Sequence, residues 1–436
     1  MLRIYAFLWS IASAFNLTSQ EVHPLLEYMP ATFEQKQEIV QWSSVENPFK
    51  LVHATHYDAQ HVTLFQKFPG LISTIPYISL GFMPTPLMCA DNLALHLGIK
   101  KLYIKRDDAL GGHTTQHRLP SGNKVRKLEF LLADALSWGC THVITCGAAG
   151  SNHVLATAGY SYHLGLKCTG MLTPQYNSTM VQRNLLRHLM FSTTQLEYSP
   201  SARERDEYIR NTCASEYSYT KRLPYFIPTG GSIPLGVVGF VNGGLELAQQ
   251  LELYHIAPPD YLYVPAGTVG TMAGLVLGLK AAGISTRIRA VVVAPVVKKS
   301  AFIERIIKLI TATNMYLHER DSSFPLYTIT ENDFDVIYTQ SGQEYGKSTC
   351  ESEHACAITS HFTSLALDNT YSGKAMAAII KDINQLEDKS VIFWNTFDGY
   401  TWPEEPDWSE SNYTQSLWYK NYTLMPESLH VYFERK

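Results

Sequence analysis

The sequence predicts an α/β fold in two domains, built on parallel twisted sheets flanked by helices, and three observations predict it. Short β-branched runs alternate with helical segments from about residue 80 to residue 400, the pattern of right-handed βαβ units. Some runs are apolar at nearly every position, AVVVAPV at 290–296 above all, as suits a strand covered by helices on both faces. The 436 residues suggest about two to three domains at ~150 residues each.

In chain order, strands are expected at Lys101–Lys105, His142–Cys146, Lys167–Leu172, Tyr225–Pro228, Tyr261–Pro265, Ile288–Ala294 and Val391–Trp394. Helical spacing follows Lys124, where Val125, Leu128, Leu131, Leu132 and Ala135 fall on one face. A second helix is expected from about His153, with Ser151 as its N-cap, and a third after the glycine loop at 267–271. Residues 299–360 read as less regular. Residues 1–70 show no repeating pattern and read as an extension, and the aromatic, acidic tail from about 400 has no clear period. No internal repeat or low-complexity tract stands out.

Composition narrows the function classes. With 45% hydrophobic and 17% charged residues the chain is an ordinary globular protein. A net charge of −4 without a long basic run argues against a nucleic-acid partner, and no apolar run has bilayer-spanning length. The seven cysteines, at 89, 140, 146, 168, 213, 350 and 356, form no CxxC and no zinc-ligand spacing, and several lie inside apolar runs. The histidines include no HxH or HExxH, so no metal is expected. Residues 1–14, with one arginine, an apolar stretch and Ala12-Ser13-Ala14, fit a secretory signal peptide. Asn16, Asn177, Asn412 and Asn421 open formal glycosylation sequons. Against secretion stand a weak basic start and the odd cysteine count. Cytoplasm or mitochondrion is the expectation, with secretion the alternative.

Three segments carry chemistry. Lys124 follows Gly122-Asn123 at a helix start and shares the face of the core side chains. Desolvation and the helix dipole both push such a lysine's pKa down, and a neutral lysine is a nucleophile that forms Schiff bases. The alternative is a stem packed on the core with its ammonium in water. Next, in THVITCGAAGSNHVLATAGY (141–160), a strand ends, glycines turn the chain, and Ser151, Asn152 and His153 open a helix. Free N–H groups there bind anions, carboxylates included; otherwise it is an ordinary capped turn. The third is Gly267-Thr268-Val269-Gly270-Thr271, which follows a strand and leads into an apolar helix. It matches neither a Walker loop nor GxGxxG, but it suits a monophosphate. A further glycine loop, PTGGSIPLG (228–236), precedes another helix. A buried lysine, a phosphate cradle and a carboxylate cradle are together what pyridoxal phosphate and an amino-acid substrate require.

The chain resembles the 1-aminocyclopropane-1-carboxylate deaminase / D-cysteine desulfhydrase family of fold-type II pyridoxal-phosphate enzymes. The resemblance rests on PTPL (84–87), YIKRDD (103–108), SGNKVRKLEFLLADAL (121–136), GSNH (150–153), IPTGGSIPLG (227–236), GTVGTMAGL (267–275), EYG (344–346) and LDNTYSGKAMA (367–377), in the family's order across about 75–400. It implies pyridoxal 5′-phosphate as cofactor and Lys124 as its Schiff-base partner and the base for the Cα proton. Ser151, Asn152 and His153 would hold the substrate carboxylate, and Asn123 would reach the cofactor's phenolic oxygen. Gly267, Thr268, Val269, Gly270 and Thr271 would bind the phosphate. Tyr345 would stack near the ring or assist the chemistry, and Ser372 would face the pyridine nitrogen. Lys124, Ser151 and Tyr345 form the expected catalytic set.

His153 and Ser372 stand where the resemblance separates desulfhydrases from deaminases. A hydroxyl does not keep the pyridine nitrogen protonated as a carboxylate does, which suits expulsion of a thiolate better than opening of a cyclopropane. The expected reaction is α,β-elimination from D-cysteine or a related β-substituted amino acid to pyruvate, sulfide and ammonia. The alternatives are the deaminase and a catalytically inactive cofactor-binding protein. Departures from the family pattern are the insertion at 111–120, Lys347–Cys350 after EYG, and Asn395–Gly399, where Phe397 and Asp398 could narrow the site. The resemblance implies a large cofactor-binding domain from 70–131 and 236–400, a small domain at 132–235, extensions at 1–70 and 401–436, and a homodimer.

Overall fold

The computed structural model describes residues 62–111, 119–399 and 421–433. The 1–14 leader, the sequons at Asn16 and Asn412 and most of the 111–120 insertion lie outside the described residues.

Among the described residues ten strands form: β1 (Leu87–Cys89), β2 (Lys101–Arg106), β3 (His142–Ala148), β4 (Lys167–Thr173), β5 (Thr194–Tyr198), β6 (Tyr225–Ile227), β7 (Tyr261–Ala266), β8 (Arg287–Val292), β9 (Phe334–Ile337) and β10 (Ser390–Asn395). The helices are α1 (Thr63–Lys67), α2 (Asp91–Leu97), α3 (Val125–Ser137), α4 (Asn152–His163), α5 (Thr179–His188), α6 (Ala202–Thr220), α7 (Pro234–Leu253), α8 (Gly270–Ala282), α9 (Lys299–His318), α10 (Cys350–Thr363), α11 (Ser372–Lys381) and α12 (Ile383–Leu386). They build a six-stranded sheet ordered β1-β2-β10-β7-β8-β9 and a four-stranded sheet ordered β5-β4-β3-β6. Every pairing is parallel except β1 with β2. Each strand expected from sequence is present within a residue or two.

The departures have physical reasons. β1, β5 and β9 lie at sheet edges, where only one side is paired and a half-exposed strand such as TQLEY carries little apolar signal. Residues 299–360, expected to be irregular, contain two helices. In α9, Phe302, Ile306, Ile310, Thr313 and Leu317 bury one face, a helical spacing interrupted by polar residues. Residues 62–71, read as extension, instead pack Val62, Leu64, Phe65, Phe68 and Leu71 into the main core. That core is continuous beneath both sheets, joining Val143 and Ile227 of one to Leu262 and Ile392 of the other.

A buried polar network fixes the start of α3. The Arg126 guanidinium donates to Asp107 and to Glu246 at 2.8 Å each. Lys105 Nζ donates to Glu246 at 2.5 Å and to Gln250 at 2.7 Å, and Trp394 Nε1 donates to Asp107 at 2.7 Å. Burial pushes the Glu246 carboxyl up, but Arg126 and Lys105 outweigh it and hold it down at about 2. α3 and α7 approach closely at Gly239, where a Cβ would meet the Arg126 carbonyl oxygen at 2.0 Å.

The end of the chain returns to the four-stranded sheet. In residues 421–433, Met425, Leu429, Tyr432 and Phe433 bury themselves against Ala149, Val154, Val181, Leu185 and Leu196. Each such side chain contributes about 1.5–3 kcal/mol of gross burial energy. All seven cysteines are free. Among the described residues no helix is long and apolar enough to cross a membrane, and no group of three or more His, Cys, Asp or Glu is placed to hold a metal ion.

Candidate active site

In parallel sheets ligands bind beyond the carboxyl ends of the strands. The loops carrying the expected chemistry lie there: 149–153 after β3, 229–232 after β6, 267–271 after β7 and 396–398 after β10.

Lys124 occupies the N-cap position of α3. The turn before it needs glycine: Gly122 has φ +85°, and a Cβ there would lie 2.9 Å from the Thr396 carbonyl oxygen. That oxygen accepts from Asn123 N at 3.2 Å, and the Asp398 carboxylate accepts from Ser121 N at 2.9 Å and from Ser121 Oγ at 2.5 Å. The β10 turn thus clamps the lysine loop. Lys124 Nζ points inward and donates to Asn123 Oδ1 at 2.9 Å, and Asn123 Nδ2 donates to Thr271 Oγ1 at 3.0 Å. This chain ties the lysine to the glycine loop. Burial pulls the Lys124 pKa down to about 8, with Asp368 and Asp107 partly offsetting it.

The glycine loop and its neighbours form a compact cradle. Val269 takes a left-handed conformation, φ +62°, unusual for a β-branched residue. α8 begins at Gly270, so its free N–H groups face the loop. A Cβ at Gly270 would meet Ser232 Oγ at 2.5 Å and Lys127 Nζ at 2.6 Å, and one at Gly230 would meet Thr268 Oγ1 at 2.4 Å. Lys127 Nζ donates to the Gly230 carbonyl at 2.8 Å and to Ser232 Oγ at 3.0 Å, with no carboxylate among these bonds. Burial and the nearby Lys124 push its pKa well down. A buried amine with no carboxylate among its bonds, beside hydroxyls and a helix start, fits a phosphate, whose charge would favour its protonated form. Lys127 and Ser232 were missed as site residues, although both fall inside segments that the sequence singled out.

The third wall is the loop after β3. Ser151 N-caps α4, its Oγ accepting from Val154 N at 3.3 Å. Asn152 Oδ1 accepts from Asn184 Nδ2 at 2.7 Å, and the same amide donates to the Gly150 carbonyl. His153 is buried, its Nε2 bonded to Thr145 Oγ1 at 3.2 Å. Burial, and then Lys124 and Lys127, hold its pKa well below the usual imidazole value. His153 therefore lies within electrostatic reach of both lysines.

Tyr345 and Tyr371 share a short hydroxyl–hydroxyl hydrogen bond, their rings edge to face at 6.1 Å. The Tyr371 ring lies 6.0 Å from Lys124 Nζ, and its edge would touch a Cβ at Gly267 at 3.3 Å. Burial raises both phenol pKa values. Tyr371 was not recognised from sequence; its signal was adjacency to Ser372. Ser372 is fully buried. Its Oγ donates to Asp368 Oδ1 at 2.6 Å and accepts from Asp368 N at 2.8 Å.

Fold and site together define a pyridoxal-phosphate-dependent enzyme, and the family profile described as "Pyridoxal-phosphate dependent enzyme" matches residues 78–396. Within that class the chain belongs to the D-cysteine desulfhydrase / ACC deaminase family. D-cysteine desulfhydrases of Salmonella schwarzengrund (strain CVM19633) and Salmonella newport (strain SL254) are 32% identical to it over 336 residues, covering 74% of this chain and 94% of theirs. A crystal structure of an ACC deaminase homologue matches with TM-score 0.64 and 28% identity, covering 78% of this chain and 95% of that one. A threonine deaminase from T.th., 17% identical with TM-score 0.52 and covering 78% and 98%, shares the fold. The cofactor is pyridoxal 5′-phosphate, and the enzyme is a lyase of this family.

Proposed function

We propose that the enzyme is a D-cysteine desulfhydrase-like lyase. It would eliminate sulfide from D-cysteine or a related β-substituted amino acid and, with one water, release pyruvate and ammonia. The observation that carries this reading is the 32% identity to D-cysteine desulfhydrases across 94% of their length. Pyridoxal phosphate supplies an electron sink for the electrons released at the substrate Cα. The chain supplies the rest. Lys124, with its pKa near 8, has a neutral fraction at physiological pH and takes the Cα proton. Ser151, Asn152 and the first N–H groups of α4 hold the carboxylate, with neutral His153 behind them. The 267–271 loop, Ser232 and Lys127 hold the phosphate. Tyr345 and Tyr371 keep their protons and can give one to the departing thiolate. Ser372, whose Oγ donates to Asp368, would present a hydroxyl and not a carboxylate to the pyridine nitrogen, which would favour elimination of a good leaving group over ring opening.

The ACC deaminase homologue among the solved structures motivates the second reading. A panel of D-cysteine, L-cysteine, D-serine and 1-aminocyclopropane-1-carboxylate separates the two. Equimolar sulfide and pyruvate from D-cysteine is the expected result. Turnover of the cyclopropane acid without sulfide from D-cysteine would make the enzyme a deaminase. Cofactor-loaded protein yielding no product would make it a binder.

A further inference from the structure

We propose that the carboxy-terminal segment Asn421–Phe433 is a strap that positions the substrate-carboxylate loop, acting through Tyr432 and Gln175. The proposal rests on the reading that residues 150–153 hold the carboxylate. The segment lies beyond the region matched by the family profile, which ends at 396.

Two sets of contacts join it to the loop. The first is apolar. Met425, Leu429, Tyr432 and Phe433 pack in one cluster with Ala149, which precedes Gly150, and with Val154 in the first turn of α4. The second is polar and runs through one residue. The Tyr432 hydroxyl oxygen accepts from Gln175 N at 3.0 Å. Its carbonyl oxygen accepts from Asn177 Nδ2 at 2.9 Å and from Gln182 Nε2 at 2.6 Å. Tyr432 thus pins the connection between β4 and α5. Gln175, so held, turns its Oε1 to accept from Gly150 N at 2.9 Å. The other end of the same amide lies against the opposite wall: a Cβ at Gly346 would stand 2.7 Å from Gln175 Nε2, and Gly346 follows Tyr345. Gln175 therefore sets the spacing between the carboxylate loop and the tyrosine turn.

Such support has a physical purpose. The loop contains Gly150, a residue type that loses more conformational freedom on ordering than any other. A loop ordered before substrate arrives spares the substrate that cost, which appears as affinity. Gln175 and Tyr432 are positioning residues, and their loss should raise KM while sparing kcat.

Two conservative variants test this in the holoenzyme. Tyr432→Phe keeps the ring in its cluster and deletes the hydroxyl; Gln175→Met keeps the length and deletes the acceptor. We expect faster amide hydrogen exchange across residues 147–155 without substrate. We also expect KM for D-cysteine to rise about tenfold, the value of one hydrogen bond, with kcat within about twofold and the cofactor absorbance unchanged. Unchanged exchange in both variants would overturn the strap. Faster exchange with unchanged KM would overturn its role in substrate binding. Failure of the parent enzyme to act on any amino acid would remove the functional reading instead, while the exchange measurement would still decide whether Tyr432 orders the loop.

Discussion

Lys124 shows how one residue acquires its reactivity. Its Nζ is enclosed between Asn123, Tyr371 and the glycine loop, and burial costs the ammonium more than the carboxylates of Asp368 and Asp107 return. The amine's pKa is depressed, so the reactive neutral form gains population as pH rises toward 8 and saturates above it. At pH 7 about a tenth of the side chain is neutral, against less than a thousandth for a free lysine. Uptake of pyridoxal phosphate by cofactor-free protein, followed by absorbance, should therefore accelerate through pH 7 and level off above about 8. A rate still climbing tenfold per unit between pH 9 and 10 would mean an ordinary lysine. Lys124 was legible because a cation on an apolar helix face is a local anomaly. Tyr371 was not, because its partner Tyr345 is distant in sequence and only the fold joins the two hydroxyls.

At the scale of elements, the site is a set of turns at strand ends, each fixed by a contact to another element. The segment before β1 is held to α3 by Glu129, whose Oε1 accepts from Leu80 N at 3.0 Å. Burial raises the Glu129 pKa to about 8, above the ordinary value near 4.3. Between those values the folded protein carries a proton that the unfolded chain releases. The resulting stability is complete at low pH and lost as pH rises toward 8, at up to about 1.4 kcal/mol per unit. In Glu129→Gln that component should vanish, giving a flatter denaturant midpoint between pH 5 and 8 than in the parent. Matching slopes would show that Glu129 is ionised in the fold. The central strands were readable because burial on both faces makes them continuously apolar. β1, β5 and β9 were not, since they are partly exposed at sheet edges; β6, also at an edge, is buried throughout and was readable. α9 was missed although its buried residues keep a helical interval.

The whole molecule places groups from distant parts of the sequence at one site. Arg126, Asp107, Glu246, Lys105 and Trp394 lock α3 to β2, α7 and β10. The 396–398 turn clasps the lysine loop, and the returning carboxy-terminal segment braces the loop opposite. The family and the main site loops could be read from the sequence, because each is a contiguous motif. The bracing by Asp398, Tyr432 and Gln175 could not, because it depends on tertiary contacts that no local pattern encodes. All of it bears on the identity of the one amine that binds the cofactor, and two lysines, the part-buried Lys124 and the buried Lys127, stand one turn apart at the site. Reducing the holoenzyme with borohydride and mapping the modified peptide by mass spectrometry distinguishes them. The cofactor should be found on Lys124 alone; recovery on Lys127, or on any other lysine, would contradict the assignment on which the site rests.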